Sequence, residues 1–451
     1  MSSTLMASCC YCCFISYKRP RPIIATFVSF LLFFLFFFFF LAEAATSSSS
    51  NGTAAARAVL HSGEELLRFE RFRAQLVRSP DGDVIDCVPS HLQPAFEHPR
   101  LRGQKPEEAP AARPTPTAKT RRRRRSHVHG GGEQREDDDE HGLQQAWWAA
   151  GEACPEGTIP VRRTTEADLL RASDAGGGRF GMKPRGGGGG GGAARRDSTS
   201  SGHEHAVGYV SGGQFYGAKA SLNVWPAHVA SPAEFSLSQI WLISGSFGND
   251  LNTIEAGWQV SPQLYGDNNP RFFTYWTNDA YQETGCYNLH CSGFVQTNSR
   301  IAIGAAISPI SSFAGRQFDI TLLIWKDPKQ GHWWLQLGSG ALVGYWPSFL
   351  FSHLGARADM AQFGGEVVNT RPSGSHTPTQ MGSGRFPGEG YGRAAYFRNV
   401  QVVDWDNNLI PAAGLRLLAD HPACYDIAGG QGGAWGRYFY YGGPGRNARC
   451  P

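Results

Sequence analysis

Two carboxylates are the residues of this chain best placed to do chemistry. Glu255 sits in Ile254-Glu255-Ala256-Gly257-Trp258 and Glu366 in Phe363-Gly364-Gly365-Glu366-Val367, small-residue frames inside segments that otherwise read as buried strand. From His203 onward the chain has only six glutamates, the others being Glu204, Glu234, Glu283 and Glu389, so two in apolar surroundings stand out. Burying a carboxylate is costly unless it is paired, hydrogen-bonded or neutralised. Glycine beside it lets a backbone or a ligand approach closely. Two such groups in one domain suggest an acid and a base. Nearby carboxyls cannot both ionise cheaply, so they share a proton and titrate as a pair in acid. That reading expects both groups in one water-accessible trough. The competing reading makes them structural glutamates bonded to backbone amides.

The elements that must position them are strands. From His203 the pattern is short apolar alternating runs broken by Gly, Asn, Asp and Pro. The candidates are Val207–Val210, Ala218–Val224, Ser238–Ile243, Arg271–Trp276, Phe294–Thr297, Ile301–Ile307, Phe318–Trp325, Trp333–Leu337 and Ala395–Val403. Many short strands at close spacing predict an all-β fold, an antiparallel β-sandwich, with no βαβ alternation. A helix is expected after Trp346-Pro347, with proline in its first turn. Among the tryptophans, Trp241, Trp258, Trp325 and Trp334 read as core, and Trp276, Trp333 and Trp346 as walls of a groove.

Upstream, a short helix is expected from Gly63 to Leu76 and a second around Ala167 to Ala172, with Asp81 to Cys87 reading as a turn into a strand. Residues 101–142 read as a solvated linker with a basic run, Arg121 to Arg125, and an acidic cluster, Glu136 to Glu140. A second linker carries the glycine tract Gly186 to Gly192, whose match to a phosphate loop is trivial. The division is therefore 1–45 as a signal peptide, 46–202 as a small α+β pro-region with disordered linkers, and 203–451 as the large β domain. The signal reading rests on Lys18, Arg19 and Arg21 ahead of an apolar run from Ile23 to Leu41, followed by the small-x-small site Ala42-Glu43-Ala44. Cleavage there leaves no stable membrane association; the competing reading of the long apolar run is an uncleaved membrane anchor. Asn51-Gly52-Thr53 is a glycosylation sequon.

Composition agrees. The 451 residues include 56 Gly, with 12% aromatic and 18% charged residues, a mix typical of β-proteins. From His203 onward 15 Lys/Arg face 16 Asp/Glu, and this neutral balance argues against nucleic acid as a partner. Six cysteines follow the leader, and an even number in a secreted chain implies disulfides. Proximity suggests Cys286–Cys291 and Cys424–Cys450, leaving Cys87–Cys154. No pair has zinc-site spacing. HExxH and GxSxG are absent. His203-Glu204-His205 could ligate a metal but borders a linker and reads as a solvated segment, so no metal or cofactor is expected.

Longer motifs point to a family. Asp83-Val84-Ile85-Asp86-Cys87-Val88, Gln93-Pro94-Ala95-Phe96-Glu97-His98-Pro99 and Cys154-Pro155-Glu156-Gly157-Thr158-Ile159-Pro160 resemble the activation peptide of the plant neprosin family. Ile254-Glu255-Ala256-Gly257-Trp258-Gln259-Val260, Tyr275-Trp276-Thr277, Thr284-Gly285-Cys286-Tyr287-Asn288-Leu289, Gly344-Tyr345-Trp346-Pro347, Gly364-Gly365-Glu366-Val367 and Met381-Gly382-Ser383-Gly384 resemble its catalytic domain, over most of residues 203–425. The departures are Phe363, where tryptophan is expected, the enlarged linkers and a Gly/Tyr tail. The resemblance implies a secreted glutamic endopeptidase that cleaves proline-containing polypeptides after proline in acid. It is made as a zymogen inhibited by its own pro-region, and its Glu–Glu dyad falls on Glu255 and Glu366. In that frame one carboxylate takes a proton from water while another group protonates or polarises the scissile amide. Gln259, Tyr275 and Asn288 are then candidate orienting donors, and Trp258 and Tyr345 candidates for a proline pocket. The destination is the cell exterior or the vacuole. A cell-wall or carbohydrate-binding sandwich, and a glycoside hydrolase using the same carboxylates, are the competing classes.

Overall fold

The computed structural model describes residues 73–116, 143–174, 202–371 and 375–451. The leader, the Asn51 sequon, and the basic and glycine tracts lie outside them. So does most of the helix expected over Gly63–Leu76, whose last residue is found in a strand. The pro-region holds β1 (Gln75–Arg78), β2 (Val84–Pro89), β3 (Thr115–Pro116), α1 (Ala146–Ala149), β4 (Thr158–Arg162) and α2 (Glu166–Asp174). Then come β5 (His203–Phe215), β6 (Gly217–Asn223), β7 (Ser236–Ser244), β8 (Asn252–Val260), α3 (Pro262–Tyr265), β9 (Arg271–Thr277), β10 (Val295–Gln296), β11 (Asp319–Lys326), β12 (Trp333–Leu337) and β13 (Ala341–Trp346). The series ends with β14 (Ala358–Val368), β15 (Ala395–Val403), β16 (Asn408–Pro411), β17 (Arg416–Ala419), β18 (Asp426–Gly432) and β19 (Gly436–Gly442).

Two large sheets pack as a sandwich. One runs β17-β5-β14-β7-β8-β9, and the other β10-β13-β12-β11-β6-β15-β16-β3, with β19 pairing β15 and β18. Strand alternation decides what lies between them. Ile240 and Leu242 of β7, Ile254, Ala256 and Trp258 of β8, and Ala361, Phe363 and Val367 of β14 join one core with Leu222, Leu322, Leu335 and Phe397 of the facing sheet. The intervening residues of the same strands, Leu237, Trp241, Ile243 and Met360 among them, form a second apolar cluster on the other face of the six-stranded sheet. A third cluster, on the outside of the larger sheet, buries Trp325, Trp334 and Tyr345 against Ala95, Phe96 and Leu101 of the pro-region.

β1, β2 and β4 make a small antiparallel sheet, and Cys87–Cys154 staples it. The other bonds are Cys286–Cys291 and Cys424–Cys450. Several expectations are corrected. The helix after Pro347 is a single 3-10 turn, Ser348–Leu350; its chain turns back at once to cover the sandwich end, where Leu350 and Leu354 join the core. Ile301–Ile307 is held by isolated bridges such as Val161↔Ile303 and Arg271↔Ala306, without a ladder. Trp276, Trp333 and Trp346 are core residues, not groove walls, because their strand positions face the opposite sheet. No helix among the described residues is long and apolar enough to cross a membrane.

Candidate active site

Register places the two glutamates. β7 lies between β14 and β8; Leu237 stands opposite Glu366 on one side, and Trp241 opposite Glu255 on the other. Residues directly opposite in an antiparallel pair share a face, and so do positions two apart. Leu237, Gln239 and Trp241 therefore carry Glu366 and Glu255 onto one face, the one turned away from the inter-sheet core. Midway between them stands Gln239, flanked by Gly364 and Gly257. At Gly257 a Cβ would fall 2.0 Å from the Ser238 carbonyl oxygen, and at Gly364, which has φ +148°, 2.4 Å from that of Ala206. Both positions exclude a side chain, so the floor beside Gln239 stays clear.

Both glutamates are fully buried. The expectation of a water-accessible trough is not met in the full chain. Glu255 accepts hydrogen bonds from Gln239 Nε2, Thr253 Oγ1 and Tyr281 Oη, each at 2.8 Å, and the Tyr281 ring reaches it from the loop after β9. His203 Nδ1 lies 2.5 Å from Glu366 Oε1. His205 Nε2 lies 4.0 Å from Glu366 Oε2, with its Nδ1 on Asp420 Oδ2 at 3.0 Å. Asp420 accepts the Nδ1 proton and so presents Nε2 to the glutamate. Glu234 gives the contrast: buried off this face, it accepts from the Thr370 amide and the Thr370, Thr377 and Thr379 hydroxyls, as a structural carboxylate does.

The other residues named from sequence scatter. Tyr275 stands opposite Glu255 and packs with Tyr281 and Tyr287. Gln259 shares the glutamates' face, opposite Leu237, and its Nε2 donates to Tyr265 Oη at 2.8 Å. Among the described residues, Gln239 Oε1 and Gln259 Oε1 are buried without a hydrogen-bond partner. These two acceptors on one face could meet a substrate or a water, since a buried acceptor left unmade costs about 1–3 kcal/mol. Asn288 serves as a brace: its amide ties the Thr274 backbone and Tyr265 Oη. Trp258 projects into the inter-sheet core and donates to the Asn223 carbonyl, three positions from Glu255 and hence on the wrong face. Tyr345 lies on the outside of the other sheet, its hydroxyl accepting from the Glu107 amide. Neither lines a pocket beside the carboxylates.

Sequence reasoning missed Gln239, Tyr281 and the role of His203 and His205. A glutamine inside the otherwise apolar Leu237–Ile243 run was the available signal. The three residues His203, Glu204 and His205 are buried in β5, contrary to the solvated reading, because β14 pairs along them and Phe235, His376 and Trp241 pack against their side chains.

The pro-region meets this sheet at its β9 edge. Asp83 Oδ2 accepts from Arg271 Nη1 at 2.7 Å and Asp83 Oδ1 from Arg162 Nε at 2.9 Å. Arg271 also holds Asp267. Burial works against the charged guanidinium, but these two carboxylates outweigh it and raise its pKa. Arg171 Nε of α2 donates to the Gln263 carbonyl in α3.

The sequence model of the Neprosin family matches residues 232–444, and that of the Neprosin activation peptide matches residues 76–209. Among solved structures, scytalido-glutamic peptidase with a peptide-based transition state analog is 12% identical, with a TM-score of 0.30, over 53% of this chain and 97% of that one. SCP-B, a member of the Eqolisin family of peptidases in complex with the tripeptide Ala-Ile-His, is 11% identical, with a TM-score of 0.29, over 53% and 96%.

Proposed function

This chain belongs to the neprosin family, and from that membership we propose that it is a secreted glutamic endopeptidase that cleaves after proline in acid through Glu255 and Glu366. An activation peptide ahead of a Neprosin domain marks a peptidase made as a zymogen. The observation that carries the finer reading is the common face: both carboxylates project from one side of the six-stranded sheet, with Gln239 and a glycine floor between them.

Hydrolysis then needs no group beyond these. One carboxylate takes a proton from water as its oxygen attacks the scissile carbonyl, and the other carboxyl gives its proton to the departing amine. Gln239, already donating to Glu255, is placed to orient that carboxylate or to polarise the carbonyl. Both glutamates are buried in the full chain, which supports latency: a substrate reaches them only once that burial is relieved. The apolar leader and the three disulfides support secretion.

The test is direct. A chain starting at His203, incubated with a proline-rich polypeptide at acidic pH, is expected to cut after proline, as mapped by mass spectrometry. Absence of any cut, with retention of saccharides instead, would favour the carbohydrate-binding class.

A further inference from the structure

On β5 the side chain of Glu204 points opposite to those of His203 and His205, away from the two catalytic candidates. There it meets two histidines from distant segments. His376 Nε2 lies 3.0 and 3.1 Å from the two Glu204 oxygens, and His421 Nδ1 lies 2.8 Å from Oε2. One ligating atom from each of the three residues falls within 4.8 Å of the others.

The orientation of His376 is fixed from behind. Its Nδ1 lies 2.8 Å from the Thr377 carbonyl oxygen, which can only accept, so the proton sits on Nδ1. The Tyr425 ring packs edge-on against the imidazole, and Asn369 Nδ2 donates to Glu204 Oε1 at 3.2 Å. With Nδ1 protonated, Nε2 of a neutral ring presents a lone pair to a carboxylate that also offers lone pairs. Such an arrangement needs a positive centre in between, and that centre is either a second proton or a metal ion.

We propose that Glu204, His376 and His421 form a binding site for a divalent transition-metal ion of the zinc class, open to solvent on the His421 side. Two imidazoles and one carboxylate suit such an ion. The backbone carbonyl behind His376 and the amide on Glu204 are the outer contacts that orient metal ligands. Glu204 is buried, whereas the His421 side chain is 61% exposed, which leaves room for water in the remaining position. Acid opposes the metal, because both histidines must give up a proton to ligate. Among the described residues, the groups facing His376 include Glu204, His421, Glu234, Tyr425, the Cys424–Cys450 disulfide and the Pro451 oxygen, which accepts from the His376 amide at 2.8 Å.

The test uses Co(II) as the probe, added to the full chain after chelator treatment at about pH 7.5, above the ordinary imidazole range. A saturable visible absorption at about one equivalent, displaced by Zn(II), is expected. It should vanish in Glu204→Gln and in His421→Ala, the latter an exposed position whose loss leaves the fold intact. Asn369→Ala keeps all three ligands and should weaken binding by about 10- to 100-fold. No saturable absorption, or absorption that persists in both ligand variants, overturns the site. The readout is independent of peptide cleavage, so it stands or falls apart from the peptidase reading.

Discussion

Arg271, at the start of β9, and Asp83, ahead of β2, form a buried ion pair at 2.7 Å that ties the pro-region to the sheet carrying both glutamates. Arg271 also lies in register with Gln259, on the same face as Glu255. Removing one partner of a buried pair leaves an uncompensated charge, at a cost of about 3–5 kcal/mol. Asp267 still holds Arg271 in Asp83→Ala, so about 3 kcal/mol is expected there. The full-length variant is therefore expected to cleave a proline-containing polypeptide at low pH before any processing, and the parent chain is expected not to. Equal latency of the two would show that this pair does not hold the pro-region in place.

Glu255→Gln and Glu366→Gln keep the shape and lose the proton chemistry. Each is expected to cut the cleavage rate of the truncated chain by about 10²–10⁴-fold while circular dichroism stays unchanged. Activity near the parent level in either variant removes that residue from the mechanism.

Gln239→Ala tests the residue between them. The loss of an amide that donates to Glu255 and faces the clear floor should lower kcat by about 10²–10³-fold with KM little altered. A parallel rise in KM alone would assign Gln239 to substrate binding instead.

The Glu204–His376 pair gives a pH signature of stability. Burial raises the Glu204 pKa, but its bonds to His376 and His421 prevail and lower it below 4.5. Its contribution is present above the unfolded value and lost as pH falls through the folded one. His376 is shifted the other way, above 6.5, so its contribution is present below that value and lost as pH rises through the folded pKa. The pair therefore stabilises between these two limits. In metal-free buffer, His376→Gln should lower the melting temperature by about 2–4 °C within that window and by less on either side, as read by calorimetry across pH. A deficit that stays constant with pH would assign His376 a packing role only.

Much of the large domain was legible because strand alternation is local. Val207–Val210, Ser238–Ile243 and Arg271–Trp276 all lie inside observed strands. Short elements were less so. Trp346-Pro347 carries a helix-start signal, yet the chain turns back after one 3-10 turn to close the sandwich end. The tryptophans were misjudged for a related reason: nearness to a loop in sequence says nothing about which face of a strand a ring occupies. Trp258 and Tyr345 failed as pocket candidates on the same ground, since residues 255 and 258 fall on opposite faces of β8.

The sequence by itself determined that this is a β protein, that its cysteines number evenly after the leader, and that two glutamates sit where carboxylates are costly. These follow from residue type and a period of two, which neighbours along the chain decide. Only the tertiary structure decided that Gln239 stands between Glu255 and Glu366, that both are buried, and that Glu204 faces His376 and His421. Each depends on pairing register and on loops brought from more than a hundred residues away, and no local preference encodes either.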